Sequence, residues 1–400
     1  MTIASGIFKT VAVKKEVTWG VAPSAGGAQF LRRVTSNLNL SKNTYQSNEI
    51  RSDQQVADFR HGSRKVDGTI SGEPSGGSYQ EFMEAMLRQA AAAVADITGL
   101  TLTTAASGAN WTLARSTGSW ITDGMRAGMV FRVTAALNAA TLNRNFFVVS
   151  TTALAITFYA LDGVTVTVEA AVPACTVAVP GKRVFVPSTG HTNDSFTIEE
   201  FHSDIGLSRL FTGCKPSQMA MKLPATGMST VDFTFMGKDI TVDTSEYFTT
   251  PTAVGSSGIM AAVNGVVFAG GVPVALITGI DLTVAGGHTT GEVVGSNTTP
   301  DIFVGRVTAT GQATVYLLDD VFLNYFVNES EVEIAAILNA DNSAASNFIC
   351  VHLPRVKFGG ATADDGEKGL IQTMPFTVIK KATATGYDST TMSIQDSLFA

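Results

Sequence analysis

The sequence contains little cysteine and little charge. Of its 400 residues, three are cysteines and 15% are charged. Cys175, Cys214 and Cys350 lie far apart and form no Cys-x-x-Cys pair, so their spacing indicates neither a disulfide framework nor a zinc site. We therefore expect three buried free thiols. Because 45% of the residues are hydrophobic, the chain is predicted to fold around an ample core rather than to remain disordered.

The sequence also lacks the motifs of common catalytic sites. No Gly-x-Ser-x-Gly, His-Glu-x-x-His or Gly-x4-Gly-Lys-Ser/Thr pattern occurs. The five histidines are isolated, and His191 with His202 would supply too few ligands for a metal. Glu199 and Glu200 are adjacent on a predicted strand, so they point to opposite faces and cannot act as an acid and base pair. These absences predict a protein with no catalytic activity, cofactor or metal.

No segment has the features of a secretory signal or a membrane span. The first 20 residues contain three lysines and no continuous apolar run, unlike a signal peptide. The uncharged stretch 249–280 is interrupted by Asn264 and Pro273 and is better explained by two strands around a turn at Gly270 and Gly271. The net charge of −7 argues against DNA binding through bulk charge. We expect a chain that folds in a cytoplasm and has no membrane partner.

Two stretches of the chain, residues 38–87 and 280–329, resemble each other. At a separation of 243 the same kinds of side chain recur, pairing Glu49 with Glu292, Asp58 with Asp301, Gly62 with Gly305, Gly68 with Gly311, Tyr79 with Phe322 and Phe82 with Tyr325. The strand before them matches at 242, through Leu38 with Ile280 and Leu40 with Leu282. Further on, residues 233–235 match 376–378 at 143. The drop from 243 to 143 predicts an insertion in the first copy.

Each copy is predicted to contain one short amphipathic helix. In the first copy, Ser78 and Glu81 have the spacing of a capping box. The residues expected on its buried face recur at helical spacing and are Tyr79, Phe82, Met83, Met86 and Leu87. In the second copy, Asp319 or Asp320 is the expected cap, and the expected buried face consists of Phe322, Tyr325 and Phe326.

The predicted fold is mainly β, because Thr, Val, Gly and Ala are abundant. Short apolar runs separated by Gly, Asn, Asp and Ser predict a small all-β module within the insertion. The predicted segments are an N-terminal arm at 1–27 that can reach a neighbouring subunit, a discontinuous first domain at 28–93 and 191–245, the inserted domain at 94–190, a linker at 246–275, a second domain at 276–381 and a polar C-terminal tail at 382–400.

A long polar loop is the strongest candidate for a functional surface. Residues 41–62 contain many charged side chains and hardly a large apolar one, which is uncommon inside a compact domain unless the loop has a function or a partner. Mixed signs suit a complementary interface between subunits better than a single ligand, although a solvated mobile loop is the alternative. The predicted contact residues are Glu49, Arg51, Asp53, Asp58, Arg60 and His61, with Glu292 and Asp301 from the second copy.

This loop also carries a family resemblance. The run SNEIRSDQQVADFRHGSR at 47–64 resembles the opening domain of major tail tube proteins of long-tailed, siphovirus-like bacteriophages. Weaker matches to the same family are VKKEVTWGVAP at 13–23, FTGC at 211–214, GKD at 237–239, VGSNTTP at 294–300 and LPRVK at 353–357. The insertion lies outside the common core of that family and resembles the small β modules that such proteins often carry.

The resemblance implies a duplicated tail tube fold, a β-sandwich or partial barrel with one flanking helix per copy. It implies six-fold rings whose inner strands join into one barrel around a DNA channel, and a long loop that contacts the next ring. A chain with two copies would complete such a ring as a trimer, with a homohexamer as the alternative. The implied partners are other copies of the chain, the tape measure protein and viral DNA in the lumen, and the tail terminator and baseplate proteins. The implied location is the virion tail, assembled in the host bacterial cytoplasm.

Two further functions stay open on the sequence alone. A tail terminator or baseplate ring protein would share the fold but stop at a single ring. A carbohydrate-binding adhesin would use Trp111, Trp120 and Tyr159 of the insertion as stacking surfaces, although buried aromatic side chains are the commoner case.

Overall fold

In the computed structural model the chain is mainly β, as expected. The structure describes residues 3–135, 137–318, 320–365, 367–382 and 385–400. These residues contain two α-helices, and their strands form one large hydrogen-bonded sheet, a small closed barrel and a two-stranded ribbon.

The large sheet takes its strands from both sides of the barrel. Before the barrel these strands are β1 (Lys9–Lys15), β2 (Gly26–Phe30), β3 (Thr35–Ser36), β4 (Asn39–Gln46) and β5 (Phe59–Gly72). The barrel consists of β6 (Ile97–Ser107), β7 (Asn110–Arg115), β8 (Val130–Ala135), β9 (Phe146–Thr151), β10 (Ala155–Ala160) and β11 (Glu169–Ala178).

The remaining strands follow the barrel. They are β12 (Lys182–Phe185), β13 (Phe196–His202), β14 (Leu207–Pro224), β15 (Thr230–Gly237), β16 (Asp239–Asp243), β17 (Thr250–Thr252), β18 (Val266–Ala269), β19 (Val272–Pro273), β20 (Ile277–Ala285), β23 (Thr308–Tyr316), β24 (Val332–Asn339), β25 (Phe348–Phe358), β26 (Thr362–Ala363), β27 (Ile371–Val378) and β28 (Ser393–Asp396), with the ribbon β21 (Thr289–Thr290) and β22 (Ile302–Phe303) between β20 and β23. Short 3-10 helices lie at Gly6–Phe8 and Ala262–Asn264.

Part of the large sheet curls into a half-barrel. Its strands run in the order β4, β5, β15, β14, β20, β23 and β27, each antiparallel to the next. Side chains alternate between its faces. In β15, for example, Val231, Phe233 and Phe235 are buried whereas Asp232 and Thr234 are not. We call the side of the half-barrel that carries these less buried residues the open face.

Helix α1 (Gln80–Leu87) packs on the buried face, where Phe82 makes edge-to-face contacts with Phe233 and Phe235. The predicted apolar face is confirmed, because Tyr79, Phe82, Met83, Met86 and Leu87 are all buried. The predicted capping box is wrong. Tyr79 occupies the N-cap position and forms no side-chain cap bond, while the hydroxyl of Ser78 lies 2.6 Å from that of Ser75. The serine therefore closes the preceding turn instead of the helix.

Helix α2 (Val321–Val327) is far less covered, and none of its residues is buried. Phe322 and Tyr325 pack partly on the core, but Phe326 is 38% exposed, so the predicted burial of Phe326 is wrong for the single chain. Asp320 is the N-cap and makes no side-chain capping bond to the backbone, and residue 319 lies outside the described residues. The difference has a physical reason. Strand β12 and the C-terminal residues lie against α1, and no described element covers α2 in the same way.

The small barrel packs on strands of the second half of the chain, β18 before α2 and β24 and β25 after it. Phe147 of the barrel stacks on Phe268 of β18 with ring centroids 4.5 Å apart. Trp120 is fully buried in the barrel core, and Tyr159 packs edge-on against Phe268. The stacking surface that a carbohydrate-binding adhesin would need therefore does not include Trp120, because its ring has no exposed area.

Both ends of the chain contribute strands. β1 pairs with β13 through all seven of its residues, so this part of the predicted arm packs on the large sheet. The carboxylate of Glu16 is buried and accepts hydrogen bonds from the hydroxyls of Ser195 and Thr197 and from the N–H groups of Gly20 and Gly213. At the other end, β28 pairs with β12 and β25. Four hydrogen bonds to one carboxylate explain why the turn after β1 is held to the sheet.

Candidate assembly surface

The hairpin of β4 and β5 projects its charged tip, residues 47–58, into solvent. Its charges pair within the hairpin. Arg51 lies 3.7 Å from Glu49 and 3.2 Å from Asp53, and Arg60 lies 2.8 Å from Asp58. His61, the last of the predicted contact residues in this hairpin, packs edge-on against Phe59. All of these side chains are exposed. Exposed pairs of this kind add little stability, so the single chain gains little from this concentration of charge.

The loop that the sequence analysis matches to this hairpin, residues 286–307, folds back onto the base of the hairpin. A carboxylate oxygen of Glu292 accepts hydrogen bonds from the amide of Asn43, at 2.6 Å, and from the hydroxyl of Ser63. The N–H of Arg64 donates to the carbonyl of Asn297 at 2.9 Å. The structure thus brings Glu292 against the first hairpin, and the two loops have different environments in the single chain.

Asp301 meets a buried lysine that the sequence did not single out. The Nζ of Lys215, in β14, lies 2.9 Å from Oδ1 of Asp301 and donates to the carbonyl of Ile302 at 3.0 Å. The side chain of Lys215 is 2% exposed and that of Asp301 is 44% exposed. A buried ammonium group without a partner is costly, so this pair fixes the second loop against β14. In the sequence Lys215 is marked only by its position directly after the FTGC match at 211–214.

A second clamp comes from Arg88, which follows α1 with a left-handed backbone, φ 61°. Its guanidinium donates to the carbonyls of Gly305 and Gly286, both at 2.7 Å. It thereby joins the two ends of the loop. A Cβ at Gly305 would lie 2.4 Å from the carbonyl oxygen of Gly287, so this close approach requires glycine. Burial, with further contributions from Arg88 and Lys215, lowers the pKa of His288 to about 4, which keeps this histidine neutral at pH 7.

The half-barrel has one free edge and one frayed edge. At one end, β3 and β4 pair only with β5 among the described strands. At the other end, β26 contains two exposed residues and pairs only with β27 among the described strands. In the middle of the sheet, β14 pairs with β20 over Gln218–Pro224 and Gly279–Ala285. Unpaired edges expose backbone donors and acceptors that can pair with another chain.

The open face is rich in hydroxyl groups and nearly balanced in charge. Its charged residues include Lys65, Asp67, Lys222, Asp232 and Asp281, and most of the others are Thr, Ser, Gln, Ala and Gly. Lys65 lies 3.3 Å from Asp67, and Lys222 is directly opposite Asp281 in the register of β14 and β20. Asp232 faces Ala220 and Ser71, so on this face it has no basic residue directly opposite.

The expectations about cysteine and glutamate are confirmed. The three cysteines are free and buried, and burial raises the pKa of Cys350 to about 12. Glu199 and Glu200 point to opposite faces, where the first accepts from Ser208 and the second pairs with Lys9 at 2.7 Å. In the described ranges no group of three or more His, Cys, Asp or Glu side chains is placed to bind a metal. No described helix is long and apolar enough to span a membrane.

Comparison with known proteins identifies one family. The family described as phage tail tube protein matches residues 9–378 of the chain. This match covers both helices, the half-barrel and the small barrel. No curated protein matches the chain.

Proposed function

The chain belongs to the phage tail tube protein family, and from that membership we propose how it builds the tube. It is a structural, non-enzymatic component of the virion tail that self-assembles into the tail tube. We propose that it contains two copies of one tail tube unit, with domains at 28–93 and 191–245 and at 276–381. Three chains would then close into a pseudo-six-fold ring, and rings would stack into the tube.

Strand pairing supports the duplication. In the first half β4, β5, β15 and β14 are consecutive neighbours in the sheet, and in the second half β20, β23, β27 and β25 repeat that order. In the first half β1 pairs with β2 on one side and with β13 on the other. In the second half β18 pairs in the same way with β19 and with β24. Each half also has its helix at the same point of the chain, α1 directly after β5 and α2 directly after β23.

A shared irregularity supports it further. The pairing of β13 with β14 shifts register between Phe196 and Ile198, and that of β24 with β25 shifts between Val332 and Ile334. These positions correspond, because their partners are spaced alike. Cys214 and Phe211 of β14 lie opposite Phe196 and Ile198, Val356 and Leu353 of β25 lie opposite Val332 and Ile334, and the two sets of partners are both 142 residues apart. Bulges are specific features of a strand rather than defects, so one bulge at the same place in both halves favours a common origin.

The junction between the two units suggests how chains join. Within the chain, β14 of the first unit pairs with β20 of the second. In the second unit the counterpart of β14 is β25, which continues into the frayed strand β26. In the first unit the counterpart of β20 is β4, which forms the free edge together with β3. Pairing β26 of one chain with that edge of the next would remove both edges and repeat the internal junction. It would also place a neighbour beside α2, which the single chain leaves exposed.

The open face suits the wall of a DNA channel. It carries hydroxyl groups and opposite charges in adjacent positions, and Asp232 has no basic residue opposite it. Such a wall offers no cluster of basic side chains to bind phosphate. The lumen contents that we propose are viral DNA and the tape measure protein, and the ends of the tube would meet the tail terminator and baseplate proteins.

The observation that carries the proposal is the repeated strand order on one continuous sheet. Electron microscopy of tubes formed by the purified full-length chain tests it directly. We expect end-on views with six similar densities and a central channel, and a ring mass of three chains by native mass spectrometry. A ring of six chains would refute the trimer. Discrete single rings at high protein concentration, without tubes, would favour the terminator.

A further inference from the structure

The contacts between the two units of one chain can be transferred to the boundary between two chains. This inference rests on the proposed trimeric ring, because only there does the second unit of one chain meet the first unit of the next. Each residue at the internal junction then has a counterpart at the chain boundary. The strand registers, together with the separation of 243 between the two stretches, define those counterparts.

The first transferred contact is the pair of Lys215 and Asp301. Gly68 and Gly311 are matched at the separation of 243. Gly68 lies opposite Phe235 and Gly311 lies opposite Phe376, so Phe235 corresponds to Phe376. The residues that follow them, Met236 and Thr377, therefore correspond as well. Lys215 lies opposite Met236 and Lys357 lies opposite Thr377. The counterpart of Lys215 is therefore also a lysine, Lys357.

The partner transfers as well. β5 and β23 correspond at a separation of 243, and counting back from them places Asp58 at the position of Asp301. An aspartate thus occupies both positions. The single chain contains Lys215 and Asp301 as a pair at 2.9 Å, and it presents Lys357 and Asp58 at opposite ends.

The second transferred contact is that of Ser63 with Glu292, whose carboxylate accepts the serine hydroxyl. At the same separation of 243, Arg306 corresponds to Ser63 and Glu49 corresponds to Glu292. A hydrogen bond at the internal junction is thereby replaced by a pair of opposite charges at the chain boundary. The separation of 243 rests on neither Lys357 nor Arg306, yet one transformation places each of these basic residues opposite an acidic one.

The four boundary residues are available for this role. Lys357 and Arg306 form no ion pair within the part of the chain that the structure describes, and Arg306, Glu49 and Asp58 are exposed. Within the described chain the ion pairs of these two acidic side chains are with arginines of their own hairpin, at 3.7 Å and 2.8 Å, and Asp58 also accepts the N–H of Phe59. Exposed local pairs of this kind are weak, so both carboxylates can exchange partners on assembly.

We propose that Lys357 and Arg306 of one chain pair with Asp58 and Glu49 of the next chain in the ring. The pairing selects a second copy of this chain as the partner, and it fixes which ends of two chains meet. Opposite charges at matched positions give register and orientation more than affinity. The charged tip of the first hairpin, which has no role in the single chain, thereby acquires one.

Charge reversal tests the principal pair. The variants are Asp58→Lys, Lys357→Asp and the double variant, each assembled from the full chain and followed by light scattering and electron microscopy. We expect each single reversal to raise the protein concentration needed for tube growth by about tenfold or more, since like charges then face each other. The double variant should return to within about threefold of the wild type, since opposite charges are restored.

Two controls separate this pairing from general damage. Circular dichroism and thermal unfolding should show all variants folded, because Asp58 is exposed and Lys357 is only partly buried. Asp53→Lys, in the same hairpin but without a basic counterpart in this transformation, should not be rescued by Lys357→Asp. A folded double variant that grows no better than the worse single variant, beside a wild type that polymerises, would overturn the pairing alone. A wild type that forms no tubes would overturn the proposed ring with it.

Discussion

Gln395 completes the backbone hydrogen bonding of Val130, a residue 265 positions earlier in the chain. Its side-chain oxygen accepts from the N–H of Val130 at 2.8 Å, and its nitrogen donates to the carbonyl of the same residue at 2.9 Å and to that of Pro180 at 3.0 Å. Gln395 lies on β28, the last strand, and Val130 begins β8 of the small barrel. One buried amide thus joins the insertion to the end of the second half.

Replacing this amide should loosen the small barrel from the body. We expect Gln395→Leu to lower the free energy of unfolding by about 2–4 kcal/mol, because it leaves the N–H and C=O of Val130 buried without partners. Urea denaturation followed by fluorescence of the buried Trp120 would measure the loss. Gln55→Leu, at an exposed position, should change the stability by less than about 0.5 kcal/mol. An unchanged midpoint for Gln395→Leu would contradict this role.

The two helices should respond differently to the loss of an aromatic ring. Phe82 is buried and its ring centroid lies 5.0–5.3 Å from those of three other phenylalanines, so Phe82→Ala should cost about 3–5 kcal/mol. Phe326 is 38% exposed, so Phe326→Ala should cost less than about 1 kcal/mol in the unassembled chain. Thermal unfolding of both variants below the concentration of tube growth makes the comparison. Equal losses would mean that α2 is covered within the single chain.

The two polar loops should also differ in what they control. Substituting Arg51, Asp53, Asp58 or Arg60 should impair tube growth, because these side chains project from the single chain. Matching changes at 294–303 should have less effect on growth, since that loop is held by its own chain. Within that loop, Asp301→Asn should instead lower stability by about 1–3 kcal/mol, because Lys215 loses its charged partner. Growth rates by light scattering and unfolding curves separate the two effects, and equal loss of growth from both loops would refute the division.

Asp396 should make stability depend on pH. Burial raises the pKa of its carboxyl from 3.8 to about 6, although the N–H groups of Gly77 and Leu398 act in the opposite direction. Because the folded pKa is the higher one, the stabilising contribution is complete below about pH 4 and is lost as the pH rises through 6. The stability of the wild type relative to Asp396→Asn should therefore fall by about 2–3 kcal/mol between pH 3.5 and pH 7. Urea unfolding of both proteins across this range tests the sign, and a rise would contradict it.

Basic residues placed on the open face should make the tube bind DNA. Gln312 is exposed on β23, between Thr310 and Thr314 on the same face. We expect Gln312→Arg to leave tube growth unchanged and to add salt-dependent retention of a DNA fragment, because each ring would gain cationic side chains in the channel. Gln312→Glu is the matched control and should retain none. If electron microscopy instead shows DNA on the outer surface of the tube, the proposal that the open face lines the channel is wrong.

Much of the fold could be predicted because the side-chain period of a strand is two. The buried stripe of α1 is predicted correctly from spacing alone. The register of the match between the two halves is not predicted correctly. The predicted match of Phe233 with Phe376 differs by two residues from the pairing, in which Phe235 lies opposite Gly68 and Phe376 opposite Gly311, the two glycines matched at 243. The match of Leu40 with Leu282 differs in the same way, since Leu40 lies opposite Val66 and, 243 residues further on, Ala309 lies opposite Val284. A slip of one residue would turn each side chain to the other face, whereas a slip of two preserves the pattern.

The sequence by itself determined the strand-rich composition, the absence of a catalytic motif, the amphipathic face of α1 and the charged stretch that resembles the family. The predicted long loop at 41–62 is wrong in part, because β4 runs to Gln46 and β5 begins at Phe59, which leaves only the tip 47–58 outside the strands. Only the tertiary structure decided that α2 lacks a cover, that the second loop is clamped by Arg88 and Lys215, and which edges of the half-barrel stay free. The physical reason is the range of the interactions. Periodicity and composition act between residues close in the chain, whereas Lys215 meets Asp301 across 86 positions and Gln395 meets Val130 across 265. Such contacts depend on the order of the strands in the sheet, and the pattern of neighbouring residues does not determine that order.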